Sequence, residues 1–352
     1  MTYRVRDPKE MAMDLRKFMK VLAANLLLLL TGVGLLRAQN PSSIPVYLDA
    51  NQPVERRVDD LLSRMTLKEK LGQLNLPCVY VNQLGRNIPA KMAACKEFAA
   101  GTYTHEIGPG CGFFTLANTI LHQGTLQQAD FFNQLQKIAL TETRLKIPLL
   151  EDEEGTHGAM LSGATIFPEG LAIGSTFDMN LVKAIYAAAA QEARAVGIQM
   201  LSTLVLELDR DPRMGRNEEA FTEDPYLYSR IAENIVRGAQ GGNVNAPDKV
   251  GAVLTDFPTQ SEPISGLERG AIELSERMLR EDFLPPWIAA ITDSGGMGVM
   301  AGYPEIDDVP AHASRKWLTE VLRRELGFRG VVMSEGDGFD TLIYEDIVPT
   351  QK

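Results

Sequence analysis

The chain has 352 residues, 45% of them hydrophobic and 23% charged, a globular composition long enough for one large core or two ordinary ones. Its net charge of -11 argues against nucleic acid or an anionic membrane surface as a partner, because both select basic faces. Three cysteines (Cys78, Cys95, Cys111) permit at most one disulfide, and the four histidines are scattered with no CxxC pair, so neither a metal nor a cofactor is expected.

Lys17 and Lys20 precede an uncharged run from Val21 to Leu36, and Ala38 closes a small-residue cleavage pattern. The run is shorter than the roughly 20 residues a bilayer span needs. Residues 1–38 are therefore expected to be a secretory signal peptide, making the protein exported, periplasmic or secreted, with no membrane contact after cleavage. Residues 39–54 are polar and contain proline, which suits a linker, and residues 55–352 form the expected domain. Val58, Leu61, Leu62 and Met65 follow helical spacing, as do Leu67, Leu71 and Leu74. Thr66, three residues before Glu69, forms a capping box that starts a second helix between the two sets.

From about residue 108 apolar strand-like runs alternate with amphipathic helical runs. The strands are expected at Gly112–Leu116, Ile147–Leu150, Met200–Leu206, Val250–Phe257, Met297–Ala301 and Gly330–Met333. The helices are expected at Ala129–Arg144, Leu181–Val196, Pro225–Gln240, Ser275–Thr292 and Ser314–Leu326. Near-continuous apolar strands separated by helices predict a parallel sheet covered by helices. No glycine-rich phosphate loop follows an early strand, so the expected fold is an α/β, TIM-like (β/α)8 barrel of which about six strand–helix units are present. Polar clusters follow most strands: Glu151–Glu154, Glu207–Arg216, Asp256, Tyr303–Glu305 and Glu335–Asp337. Barrel active sites form at strand C-terminal ends, so these clusters are the candidate site.

Five ordered segments now carry a resemblance. They are RRVDDLLSRMTLKEKLGQL (Arg56–Leu74), IPLLEDEEGTHGAMLSGATIF (Ile147–Phe167), RDPRMGRNEEAFTEDP (Arg210–Pro225), SERMLREDFLPPW (Ser275–Trp287) and GFRGVVMSE (Gly327–Glu335, with Tyr303 and Pro310–Ala313 ahead of it). Together the chain resembles the N-terminal barrel domain of glycoside hydrolase family 3. The resemblance implies a retaining exo-β-glycosidase acting on terminal β-glucosides or β-xylosides, with a small β-linked oligosaccharide or glycoside as its only partner. In such a reaction one carboxylate attacks the anomeric carbon and a second carboxyl protonates the leaving oxygen.

Residue by residue, the resemblance puts Glu335 where the family has its nucleophilic aspartate, with Asp337 as the rival. Arg216 matches the arginine that contacts sugar hydroxyls; read from its neighbours alone, it is equally a structural ion-pair partner of Glu218, Glu219 or Glu223. Glu154 matches the acidic sugar-binding residue ahead of His157–Gly158, with Asp152 as the alternative register. Tyr303 matches a tyrosine beside the nucleophile. His157 and His312 read as structural. Two departures stand out. Thr255–Asp256–Phe257 replaces a Lys–His–Phe strand, so Asp256 offers acceptors where the family offers donors, with Glu262 and Arg269 nearby in sequence. The resemblance also implies two further barrel units and an acid/base residue beyond Lys352, so the chain is expected to be part of a longer product or a degenerate copy. The alternative to the enzyme is a non-catalytic carbohydrate-binding pseudoenzyme or an inactive fragment.

Overall fold

The computed structural model describes residues 44–115, 124–344 and 346–350. The expected signal peptide lies outside these residues, as does the first part of the linker. The described residues fall into two compact units that divide between Arg64 and Met65. In the first, a single 3-10 turn at Val46–Leu48 precedes helix α1 (Val54–Arg64). Asp60 ties them together, accepting from the Tyr47 amide at 3.1 Å and pairing with Arg64 at 2.8 Å.

The second unit opens with α2 (Leu67–Gln73), capped as the Thr66–Glu69 spacing predicts. The Thr66 hydroxyl accepts from the Glu69 amide and the Glu69 carboxylate accepts from the Thr66 amide. α3 (Ile88–Ala100) follows; its apolar residues lie nearly all round, so periodicity did not reveal it. Strand β1 (Gly112–Phe114) and α4 (Thr125–Thr141) begin the alternation. Then come β2 (Leu150–Glu154), the short α5 (Gly170–Gly174), α6 (Met179–Val196), β3 (Met200–Val205), α7 (Pro225–Gln240) and β4 (Gly251–Phe257).

The next helical stretch is α at Glu276–Met278, π at Leu279–Phe283 and α again in α8 (Leu284–Ile291). Pro285 and Pro286 supply no amide to the preceding turn, which widens instead of breaking. Strand β5 (Gly298–Ala301), a two-stranded turn of β6 (Glu305–Ile306) and β7 (Val309–Pro310), a π-helical segment at Lys316–Glu325, β8 (Val331–Ser334) and α9 (Thr341–Tyr344) complete the described elements.

β1, β2, β3, β4, β5 and β8 pair in that order, all parallel, so six strand–helix units of the (β/α) barrel are present as expected. The main core lies between sheet and helices. Leu201, Leu204, Leu254 and Val299 meet Tyr186, Ala190, Ile231 and Ile235, all buried. The opposite sheet face carries a second cluster of Met200, Val253 and Met300 with Met333. Trp287 anchors α8: it is fully buried, edge-on to Phe257 at 4.9 Å, and its indole donates to the Pro258 carbonyl at 3.1 Å. Replacing Trp287 with alanine is expected to cost about 3–5 kcal/mol in a denaturant titration, because that volume cannot be refilled by its neighbours.

One strand is displaced from its expected span. The apolar run Ile147–Leu150 enters the sheet only at Leu150, and the strand itself is Leu-Glu-Asp-Glu-Glu. Backbone pairing with Phe113 and Asp152's partner Met200 holds this acidic stretch, and side-chain polarity does not oppose it because Glu153 accepts from Thr115 at 2.6 Å and Asp152 from Ser202 at 3.4 Å. Glu151 has no such relief. It is wholly buried, neither oxygen has a hydrogen-bond partner, and burial, then the nearby Glu153, push its carboxyl well above the ordinary range. A raised folded-state pKa means the folded chain holds a proton the unfolded chain gives up, so stability falls as pH rises above the unfolded value. Glu151→Leu is therefore expected to stabilise by about 1–3 kcal/mol at neutral pH, with the gain shrinking on acidification in parallel melts.

Candidate active site

A cavity of about 680 Å³ runs along β8 and past Cys111 and Gln73–Pro77, and takes in the C-terminal ends of several strands. Glu154 ends β2, Asp256 lies near the end of β4, Tyr303 follows β5 and Glu335 follows β8; all four line it together with Arg216 from the loop after β3. The folded chain thus brings five of the seven residues singled out in sequence to one wall. The other two stand apart. Asp152 sits deeper in β2 against Ser202, and Asp337 is exposed, in a left-handed conformation with φ 57°, starting the turn that leads to α9.

Arg216 is the centre of the arrangement. Its Nε donates to Glu219 at 2.5 Å, and its Nη1 donates to Glu268 at 3.0 Å and to Glu335 at 3.1 Å. The ion-pair reading of Arg216 holds for Glu219, and the guanidinium also reaches Glu335. Burial alone would lower its pKa, but the charges of Asp256, Glu219 and Glu335 outweigh that and hold it firmly protonated. Glu268, from the loop after β4, was not legible in the sequence; it is 52 residues from Arg216 and no motif marks it.

Asp256 owes its place to backbone irregularity. The β4–β5 register shifts between Leu254 and Phe257, and Asp256 takes φ 75°, a conformation aspartate tolerates better than most residues. Thr255 and Asp256 both line the cavity in consequence, while Phe257 packs outward on Trp287. Asp256 is completely buried, with the Gln260 and Glu335 side chains as its hydrogen-bonding neighbours. Burial pushes its pKa up to about 6 against the pull of Arg216. Glu335, 7% exposed, has Oε1 on Arg216 and Oε2 unpartnered. Burial first and the Asp256 charge second push it well above the usual carboxylate range, with Arg216 opposing.

Supporting groups fix these side chains. Glu207, just past β3 and named in sequence only as the start of a polar cluster, accepts from Thr259 Oγ1 at 2.8 Å and from the amides of Gln260 and Ser261 at 2.6 and 2.8 Å. It braces the loop after Asp256, and burial and the Asp256 charge lift it to about 8 despite those donors. Tyr303 donates from its hydroxyl to the Gly336 carbonyl at 2.7 Å, and the Arg269 guanidinium lies 3.8 Å from its ring centre. A side chain at Gly336 would run into the Tyr80 hydroxyl, so Tyr80 would have to shift to admit one. Glu154 accepts from Thr156 Oγ1 at 2.7 Å and from the Gly155 amide at 3.1 Å, and burial raises it. His312 is bonded to Ser334 at 3.0 Å and burial lowers it to about 4. Among the described residues no group of His, Cys, Asp and Glu is arranged to hold a metal, the three cysteines are unbridged, and no helix is long and apolar enough to cross a membrane.

A helix-covered parallel sheet with a carboxylate-lined cavity at its strand ends defines a barrel-type enzyme domain. The comparisons with known proteins sharpen this. The chain belongs to glycosyl hydrolase family 3: residues 66–344 match the model described as the family's N-terminal domain. It is 34% identical to the lysosomal beta glucosidase of Dictyostelium discoideum over 298 residues, 82% of this chain and 36% of that one. A putative beta-xylosidase of Formosa agariphila is 32% identical over 300 residues, 85% of this chain and 39% of that one. The solved β-glucosidase of Erythrobacter marinus superposes with a TM-score of 0.74 at 31% identity, covering 85% of this chain and 38% of that one. The chain thus spans little more than a third of the length of these relatives.

Proposed function

We propose that this domain carries the nucleophile and the sugar-binding wall of an exported retaining exo-β-glycosidase acting on β-glucosides or β-xylosides. The observation that carries the reading is Glu335, a nearly buried carboxylate just past β8 that lines the cavity, with one oxygen held by Arg216 and the other buried. This carboxylate attacks the anomeric carbon and forms a glycosyl–enzyme ester, which water then hydrolyses. Arg216 orients the carboxylate and favours its anionic form, the form that attacks. Burial and then the Asp256 charge raise Glu335, whereas burial raises Asp256 and its contact with Glu335 lowers it. Glu154 and Asp256 accept hydroxyl donors of the bound sugar. Tyr303 holds the turn carrying Glu335 through Gly336. The glucosidase and xylosidase relatives support both sugars. Residues 1–38 are proposed as the export signal, 39–54 as a linker and 55–352 as the barrel domain.

The test is inactivation with 2-deoxy-2-fluoro β-glucosyl and β-xylosyl fluorides, followed by peptide mass mapping. A glycosyl adduct on Glu335 is expected. An adduct on Asp337 would keep the reaction and move the nucleophile; no adduct with either sugar on folded protein would favour the carbohydrate-binding pseudoenzyme.

A further inference from the structure

Two carboxyls meet at one nitrogen. Arg216 Nη1 donates to Glu335 Oε1 at 3.1 Å and to Glu268 Oε1 at 3.0 Å. Those oxygens therefore lie within about 6 Å of each other, a span that takes in the roughly 5–5.5 Å between the paired carboxyls of a retaining glycosidase. Glu335 follows β8, whereas Glu268 comes from the loop after β4. The Ile264 amide donates to the Ala271 carbonyl at 2.9 Å and closes the neck of that loop. Next to Glu268, the Arg269 guanidinium lies 3.8 Å from the ring centre of Tyr303, whose hydroxyl donates to the Gly336 carbonyl at 2.7 Å. The two turns are thus tied together by a second route. The Glu268 side chain is 39% exposed and that of Glu335 8%. A group that reloads a proton from water in every cycle needs that access. Asp256 lacks it, being wholly buried against Glu335, and Glu219 is held on Nε at 2.5 Å, not on the nitrogen that Glu335 shares.

We infer that Glu268 is the acid/base residue of this site, carried by the same chain as the nucleophile. The inference rests on the glycosidase reading of Glu335 and names the second group of that reaction. The sequence resemblance alone implied an acid/base residue beyond Lys352; the geometry supplies one within the chain. In the first step an oxygen lone pair of Glu335 bonds to the anomeric carbon. The bond to the leaving oxygen breaks with its electron pair on that oxygen, which takes the proton of Glu268 and departs as an alcohol. In the second step Glu268, now a carboxylate, takes a proton from a water whose oxygen bonds to the anomeric carbon. The electron pair of the ester bond returns to Glu335, and both carboxyls end as they began. An anionic Glu335 favours a proton on the carboxyl beside it, and the uncharged ester does not, so the charge of the nucleophile times the exchange.

The experiment compares the whole chain with its Glu268→Ala variant on phenyl and 2,4-dinitrophenyl β-glucosides and β-xylosides. A phenyl group needs a proton to leave and a dinitrophenyl group does not. In the variant, kcat/KM for the phenyl glycoside is expected to fall by at least about a hundredfold, and that for the dinitrophenyl glycoside to stay within about tenfold. Added azide, which attacks without a base, is expected to raise the variant's kcat on the dinitrophenyl substrate and to yield a β-glycosyl azide. A merely structural role for Glu268 would lower both substrates together and give no azide product. Glu268→Gln keeps the shape of the side chain and should repeat the leaving-group pattern if the alanine variant fails to fold. Equal losses on the two substrates, or no loss on the phenyl glycoside, would overturn the inference and leave the reading of Glu335 standing. So would a wild-type chain that cleaves the dinitrophenyl glycoside and not the phenyl one. Cleavage of neither by folded wild-type protein would overturn both.

Discussion

Replacing Glu335 with glutamine is expected to lower turnover of a 2,4-dinitrophenyl β-glycoside by at least about a thousandfold, with little change in fold. The amide has the shape of the carboxylate and none of its nucleophilicity, and covalent catalysis supplies several powers of ten. An activated leaving group is chosen because it departs without a proton. The measurement then reads the nucleophile alone and does not depend on where the acid/base carboxyl resides. Asp337→Asn is expected to leave the rate within about threefold, since the exposed side chain lies off the cavity wall. The reverse ranking of the two variants would transfer the role to Asp337. Turnover by Glu335→Gln within about tenfold of wild type would remove Glu335 from the mechanism.

The second large effect is expected at Arg216. Arg216→Met leaves Glu219, Glu268 and Glu335 facing one another with no cation between them. The Arg216 side chain is 22% exposed and that of Glu335 8%, so solvent screens this only in part. A loss of about 3 kcal/mol is expected in denaturant melts near neutral pH. The pH dependence identifies the cause. Without Arg216 the neighbouring carboxyls rise in the folded state, so the variant holds protons that the unfolded chain releases, and its deficit grows with pH through the carboxylate range. At acid pH, where these groups are protonated in both states, the two proteins should differ little. Arg216→Lys restores a charge but not the fork that spans three carboxylates, and should lie between them. A deficit independent of pH would mean that Arg216 contributes packing rather than charge.

Most of the barrel was legible because strand and helix periods differ so plainly in this chain. The Thr66–Glu69 cap, the strand Val250–Phe257 and the helix Pro225–Gln240 carry unambiguous local signals and lie where those signals put them. What escaped had a physical reason. α3 is apolar on several faces and shows no stripe. β2 is held by its backbone pairing with β1 and β3, while its side chains are mostly acidic. The site was legible as far as each residue ends a strand. Its wiring was not, because ion pairs such as Arg216–Glu268 and Arg216–Glu335 join positions 52 and 119 residues apart. The placement of Asp256 was equally invisible, since it accompanies a register shift that no residue in Thr255–Asp256–Phe257 announces.

That register shift enlarges what one strand can say to a ligand. A regular strand alternates faces, so it presents every second residue to a bound molecule and spends the rest on its supporting layer. Between Leu254 and Phe257 the alternation is suspended, and two adjacent positions speak to the cavity before the next returns to the helices. Vocabulary at this point is therefore a dipeptide. Exchanges there are confined by the backbone that makes them possible: position 256 holds φ 75° and both residues are buried, so asparagine or glycine at 256 and small residues at 255 fit, where β-branched ones at 256 and bulky ones at either do not.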